Sequence, residues 1–222
     1  MTPTSTVRAY HLLSSHHALD NLRHRRLKIA QLDDLNDPFD LWALAQPDRK
    51  LRMALRLFRR EVAQTFGMVC FSLAWHNPLL WSHYGDRHRG IALGFDLDAT
   101  KCKKVKYVEE RPELRTIDLA VAHELLFTKY VDWKYEEEIR TFTNLNDIDP
   151  ETKLYFADFG KDCALREVIL GPLSDVTEHT LREALGDMNL GHVTLTKARL
   201  AFNSFRVVTD QRGLHSESTR DE

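Results

Sequence analysis

The sequence predicts an α+β fold, a single domain with a split, mostly antiparallel sheet and flanking helices. Three observations predict the class. Short apolar runs rich in β-branched and aromatic residues recur at strand length, as in residues 7–13, 67–72, 91–97 and 166–171. Segments with helical spacing of apolar residues separate the early strands. Later strands follow one another directly, which a regular doubly wound sheet does not do.

The elements follow in order. VRAYHLL (residues 7–13) is the first strand, and Ser14 or Ser15 is placed to cap the helix HHALDNLRHRRL. KIAQ is a short strand. LNDPFD is a turn, because the residue before a proline is pushed out of the helical region. Residues 49–66 form a long helix, with Leu51, Leu55, Leu57, Phe58 and Val62 at roughly helical spacing, and Gly67 ends it. GMVCFS is a buried strand, residues 78–88 a helix, and IALGFDL a strand entered through Gly90. KKVKYVEE is a strand, and residues 118–130 a helix with Ala122, Leu125, Leu126 and Tyr130 on one side. YEEEIRTFTN and REVILG are strands, SDVTEHTLREAL a helix and HVTLTKARLAF a late strand. The domain spans residues 1–210, and residues 211–222 are a disordered polar tail.

Composition narrows the function. The chain has 222 residues and a formal net charge of -2, so no global charge calls for nucleic acid or an acidic membrane. Local basic clusters stand at residues 23–28 and 56–60. Cys70, Cys102 and Cys163 lack the spacing of a disulfide framework or zinc knuckle. No apolar signal core follows Met1, and no stretch approaches the roughly 20 apolar residues of a membrane helix. A cytoplasmic, reducing location is expected, with no membrane partner.

Two segments carry chemistry. In WKYEEEIRTF, strand alternation puts Glu136, Glu138 and Arg140 on one face. That face is either a solvated sheet surface or a polar site in which an arginine holds a glutamate ionised. In WSHYGDRHRG, His83 and His88 are five residues apart, the wrong spacing for a helical zinc pair. Trp81 with Tyr84, and Tyr84 with His88, share helix faces, which makes an aromatic wall with a basic edge or a set of core aromatics. The glycine-rich fingerprints of dinucleotide folds and phosphate-binding loops are missing, as are GxSxG and HExxH.

These pieces together resemble a bacterial family of unknown function, numbered 2971. The resemblance rests on NDPFD at Asn36, CFS at Cys70, WSHYGDRHRG at Trp81 and KYVDWKYEEEIR at Lys129, in order across residues 7–172. More loosely, the layout resembles the ADP-ribosyltransferase fold, with Arg8 or His11 on the first strand, Phe71-Ser72 ending the second and a glutamate on a later strand. That resemblance implies a transferase that uses NAD to modify a macromolecule, either nucleic acid or protein, and a role as a toxin or phage-defence effector with a neutralising partner. It implies Glu138 as the acid, supported by Glu136 and Arg140. His11, Tyr10 and Ser72 would position NAD, and Trp81, His83 and Tyr84 would line the pocket. Glu136 and Glu167 remain rival acids. The alternatives are a metal-dependent nuclease or phosphodiesterase using Glu136, Glu138, His83 and Asp37, or a non-catalytic nucleotide- or peptide-binding domain. The leading reading assigns no metal.

Overall fold

The structure is a computed structural model that describes residues 5–40, 48–111, 119–186 and 192–214. In chain order the elements are β1 (Thr6–Leu13), α1 (Ser15–His24), β2 (Arg26–Gln31), α2 (Arg49–Thr65), β3 (Phe66–Ser72), α3 (Pro78–His83), β4 (Ile91–Asp98), β5 (Cys102–Lys104), β6 (Lys106–Val108) and α4 (Leu119–Leu125). They continue with β7 (Thr128–Tyr130), β8 (Glu138–Asn144), β9 (Tyr155–Asp158), β10 (Cys163–Leu170), α5 (Glu178–Leu185), β11 (Thr194–Leu200) and β12 (Val207–Thr209). Short 3-10 turns occupy Leu32–Asp34 and Val131–Glu136. The architecture is mixed α+β and mostly antiparallel, with β10–β11 and β6–β7 paired in parallel.

The chain forms two compact units. The first comprises Met1–Leu27, Phe71–Ala99 and Asp158–Glu222, and the second Lys28–Cys70 and Thr100–Ala157.

In the first unit, β4 runs between β1 and β10, antiparallel to both. Every residue of β4 except Asp96 is buried, the pattern of a strand covered on both faces. Each large apolar side chain buried there contributes about 1.5–3 kcal/mol. Beyond β10 lie β11 and then β12. The Ser14 hydroxyl accepts the His17 N–H at the start of α1, as the sequence predicts. The helix ends before the predicted Leu27, because Arg25 turns left-handed (φ 53°) and its N–H caps the carbonyls of Asn21 and Leu22. α1 lies against α5, with Ala18 and Leu22 of one and Leu181, Ala184 and Leu185 of the other buried.

In the second unit, Asp48 caps α2 by accepting the Lys50 N–H. The inner face of α2 packs Leu55 on Leu125, and Val62 and Ala63 on Leu32, Met68, Leu126 and Phe127. β2 pairs with β3, and β8 with β3 and β5.

Several predicted boundaries move. The helix expected over residues 118–130 stops at Leu125, because Glu124 O accepts both the Phe127 N–H and the Thr128 hydroxyl, and the Phe127 carbonyl then accepts the Lys106 N–H. Its predicted start at Asp118 lies outside the described residues, as does the tail from residue 215. KKVKYVEE divides into β5 and β6, and β9 and β12 are additional short strands. No described helix is long and apolar enough to cross a membrane. Cys70, Cys102 and Cys163 are thiols outside any disulfide.

Candidate functional site

The NDPFD turn opens the site in the second unit. Asp37 Oδ1 accepts the Phe39 N–H at 2.8 Å, and its carbonyl accepts the Asp40 N–H at 2.9 Å. The turn that proline and Asx chemistry predict therefore also fixes Asp40, which is buried. From the other end of the unit, β7 brings in Lys129. The chain then winds through the 3-10 turn to Glu136, turns left-handed at Glu137 (φ 45°) and enters β8 at Glu138. Glu138 and Arg140, two apart on a strand, share a face as expected. Glu136 does not lie on that strand. This corrects the expectation of one three-residue face: the left-handed residue between Glu136 and Glu138 breaks the extended run.

The side chains nevertheless converge. Arg140 donates from Nε to Glu138 Oε1 (2.7 Å) and from Nη2 to Glu138 Oε2 (2.9 Å) and Asp40 Oδ1 (2.9 Å). Its Nη1 donates to the Leu126 carbonyl. Lys129 Nζ donates to Glu136 Oε2 (2.6 Å) and Glu138 Oε2 (3.3 Å), lies 3.8 Å from Asp40 Oδ2, and sits 4.7 Å above the Trp133 ring. The Glu138 N–H donates to the Tyr107 hydroxyl. All five charged residues are buried.

Charge then decides the protonation states. Burial pushes the Glu138 carboxyl up, but the charge and hydrogen bonds of Arg140, with Lys129, outweigh it and hold the group at about 2. Asp40 goes the other way: burial exceeds the pull of Arg140 and Lys129, so its carboxyl is raised. Burial lowers Lys129, yet Glu138, Asp40 and Glu136 raise it further, so it stays charged. Burial and the neighbouring Glu138 push the Cys70 thiol well up, which leaves it a poor nucleophile. Two carboxylate oxygens, Asp37 Oδ2 and Asp40 Oδ2, are buried without a hydrogen-bond partner among the described residues.

The residues expected to bind NAD all lie in the first unit. Tyr10 and Ser72 are opposite each other where β1 meets the end of β3. The Ser72 hydroxyl is turned to its own backbone, donating to the Ala74 carbonyl. His11 packs on Phe71, with ring centroids 5.6 Å apart. Trp81 is fully buried; its indole N–H donates to the Trp75 carbonyl at 2.6 Å, and the two rings meet edge to face. Trp81 therefore belongs to the core. His83 is exposed and stands edge-on to Tyr84, which is half-buried. The helix predicted over residues 78–88 ends at His83, because Asp86, Arg87 and His88 are left-handed in succession (φ 45°, 52° and 71°). The Gly90 N–H closes that loop on the Gly85 carbonyl at 2.8 Å. A Cβ at Gly90 would strike the Leu13 carbonyl, so glycine is required there.

Glu167, the third candidate acid, has different neighbours. On the same unit's sheet Arg8 donates to Asp96 (2.7 Å), Arg166 donates to Asp96 (2.9 Å), and Glu167 lies 3.8 Å from Arg8. The Tyr10 ring crosses Gly94 beside Glu167. This group is partly exposed, a solvated ladder of ion pairs.

Glu136, Glu138 and Arg140, to which the sequence points, do come together; Lys129 and Asp40, to which it does not, join them. Lys129 opens KYVDWKYEEEIR and Asp40 closes NDPFD. The signal was the presence of opposite charges in two segments far apart in the chain. Among the described residues, no group of three or more histidine, cysteine, aspartate or glutamate side chains is placed to hold a metal ion. The ammonium of Lys129 takes the place between the carboxylates. No curated protein and no solved structure matches the chain. Residues 80–141, which run from α3 to Thr141 in β8, match the family described as protein of unknown function (DUF2971), and this supports the kinship that the motifs carry.

Proposed function

We propose that the protein is an ADP-ribosyltransferase-like enzyme that uses NAD to modify a macromolecule, with Glu138 as its working carboxylate. The observation that carries this reading is the state of Glu138: buried, ionised and fixed by the fork of Arg140 and the ammonium of Lys129. NAD, when bound, supplies a ribose–nicotinamide bond whose cleavage develops positive charge on the sugar. A carboxylate already oriented in a water-poor setting stabilises such charge without reorganising. Arg140 and Lys129 keep the proton off Glu138, so the negative charge is present throughout the neutral range.

The open acceptors suit a polyol. Asp37 Oδ2 and Asp40 Oδ2 are buried acceptors without a hydrogen-bond partner among the described residues, and sugar hydroxyls or a carboxamide N–H would satisfy them. Glu136 holds Lys129, and Lys129 orients Glu138, so these two are positioning residues. A metal-dependent nuclease would need a cation where Lys129 stands.

The test is NAD-dependent thermal shift with nicotinamide release, on wild type, Glu138→Gln and Glu167→Gln. The expected result is stabilisation and release by wild type and by Glu167→Gln, and a folded Glu138→Gln protein that releases no nicotinamide. Release that survives in Glu138→Gln, or is lost in Glu167→Gln alone, would move the site to the first unit. Binding of NAD without release by wild type would favour a recognition domain.

A further inference from the structure

α2 carries Arg49, Lys50, Arg52, Arg56, Arg59 and Arg60 against one acidic residue, Glu61. The chain as a whole has a formal net charge of -2, so this helix is a local concentration of positive charge. The concentration has a cost. Arg49 and Arg52, Arg52 and Arg56, and Arg56 with both Arg59 and Arg60 are like-charge neighbours at three or four residues, each destabilising a helix by roughly 0.2–0.5 kcal/mol.

Packing sorts the six. The Leu55 and Ala63 side turns inward onto Leu125, Leu32, Met68, Leu126 and Phe127, and Arg59, on its margin, donates to the Leu32 carbonyl. Arg49, Arg56 and Arg60 are exposed. At 3.6 residues per turn they fall within about 40° of one another and span about 16 Å along the axis. With Lys50 they make no ion pair among the described residues. The large apolar side chains exposed on α2 are Met53 (64%) and Leu57 (60%), set among these cations.

A helix that lies in a bilayer surface turns a broad apolar face outward; the broad apolar face of α2 is used up in the unit's own core. A single-strand reader needs exposed aromatic rings for bases to stack on, and the exposed positions of α2 hold none. A straight row of arginines without acidic partners suits a regular line of phosphates. We propose that the outer face of α2 binds the phosphate backbone of double-helical nucleic acid through Arg49, Arg56 and Arg60. The inference stands on α2 alone. Joined to the transferase reading, it makes nucleic acid the class of macromolecule brought to the enzyme.

The test is fluorescence anisotropy of the whole chain with a short labelled DNA duplex across a salt series. Wild type should bind with a log–log salt slope of about -3, as three phosphate contacts require. Arg49→Gln/Arg56→Gln/Arg60→Gln should bind at least about tenfold more weakly at low salt, with a slope near zero and a thermal midpoint no lower than that of wild type, since the three side chains are exposed and their mutual repulsion is relieved. The triple lysine variant should bind within about threefold of wild type, because the contacts are to charge. No duplex binding by wild type at low salt, equal binding by the glutamine variant, or preference for phosphatidylserine vesicles over the duplex would each overturn the proposal. Nicotinamide release plays no part in this readout, so the two readings fail separately.

Discussion

Arg140 is the residue on which the charge cluster of the second unit turns. Its guanidinium serves Glu138, Asp40 and the Leu126 carbonyl at once, so its removal leaves two buried carboxylates with Lys129 as their remaining cation. Arg140→Ala should lower unfolding stability by about 3–5 kcal/mol in urea titration. Arg140→Lys should recover less than half of that, because an ammonium cannot reproduce the planar fork. A loss under about 1 kcal/mol for Arg140→Ala would show that the cluster contributes little. Glu138 makes a second prediction, through pH. Its carboxyl drops from the ordinary 4.5 to about 2 on folding, so its stabilisation is complete above about pH 4.5 and is lost as pH falls toward 2. The size is on the order of 3 kcal/mol. Asp40, with a raised carboxyl, contributes in the opposite sense and softens the acid limb. Urea midpoints measured down the acid range should therefore fall for wild type and fall much less for Glu138→Gln; parallel curves would contradict the assignment. At this scale the sequence was legible where residues are neighbours. Glu138 and Arg140 follow from strand alternation alone. Asp40 and Lys129 do not, because they reach the cluster through a turn and a separate strand, and no periodicity links them.

At the scale of elements, the long apolar-periodic pieces were legible and their ends were not. β1, β4, α2 and α5 stand close to where apolar spacing puts them. The predicted 78–88 helix overran because Asp86, Arg87 and His88 adopt left-handed backbone without being glycine, which no pattern announces. Each such residue costs about 1–2 kcal/mol. Arg87 is exposed, so Arg87→Gly should stabilise the protein by about 0.5–1 kcal/mol, the reverse of what glycine does in a helix. Thermal unfolding checks this: a lower midpoint for Arg87→Gly would place residue 87 in ordinary helical backbone. The strand expected to begin at Tyr135 begins at Glu138 for a similar reason, the left-handed Glu137.

At the scale of the whole molecule, the α+β class and the predominance of antiparallel pairing were legible in the order of elements. The two compact units were not. Each is assembled from separated stretches of chain, so no proline- or glycine-rich linker marks a boundary. The same division separates the predicted residues: Glu136, Glu138 and Arg140 belong to the second unit, whereas Tyr10, His11, Ser72, Trp81, His83 and Tyr84 belong to the first. The functional claim accordingly rests on Glu138 and the cations that hold it. Nicotinamide release from NAD by purified wild type and Glu138→Gln, both verified as folded, tests it most directly. Wild type should release nicotinamide and the variant should lose at least about a hundredfold, the scale on which a fixed electrostatic group acts. Equal release by the two proteins would contradict it.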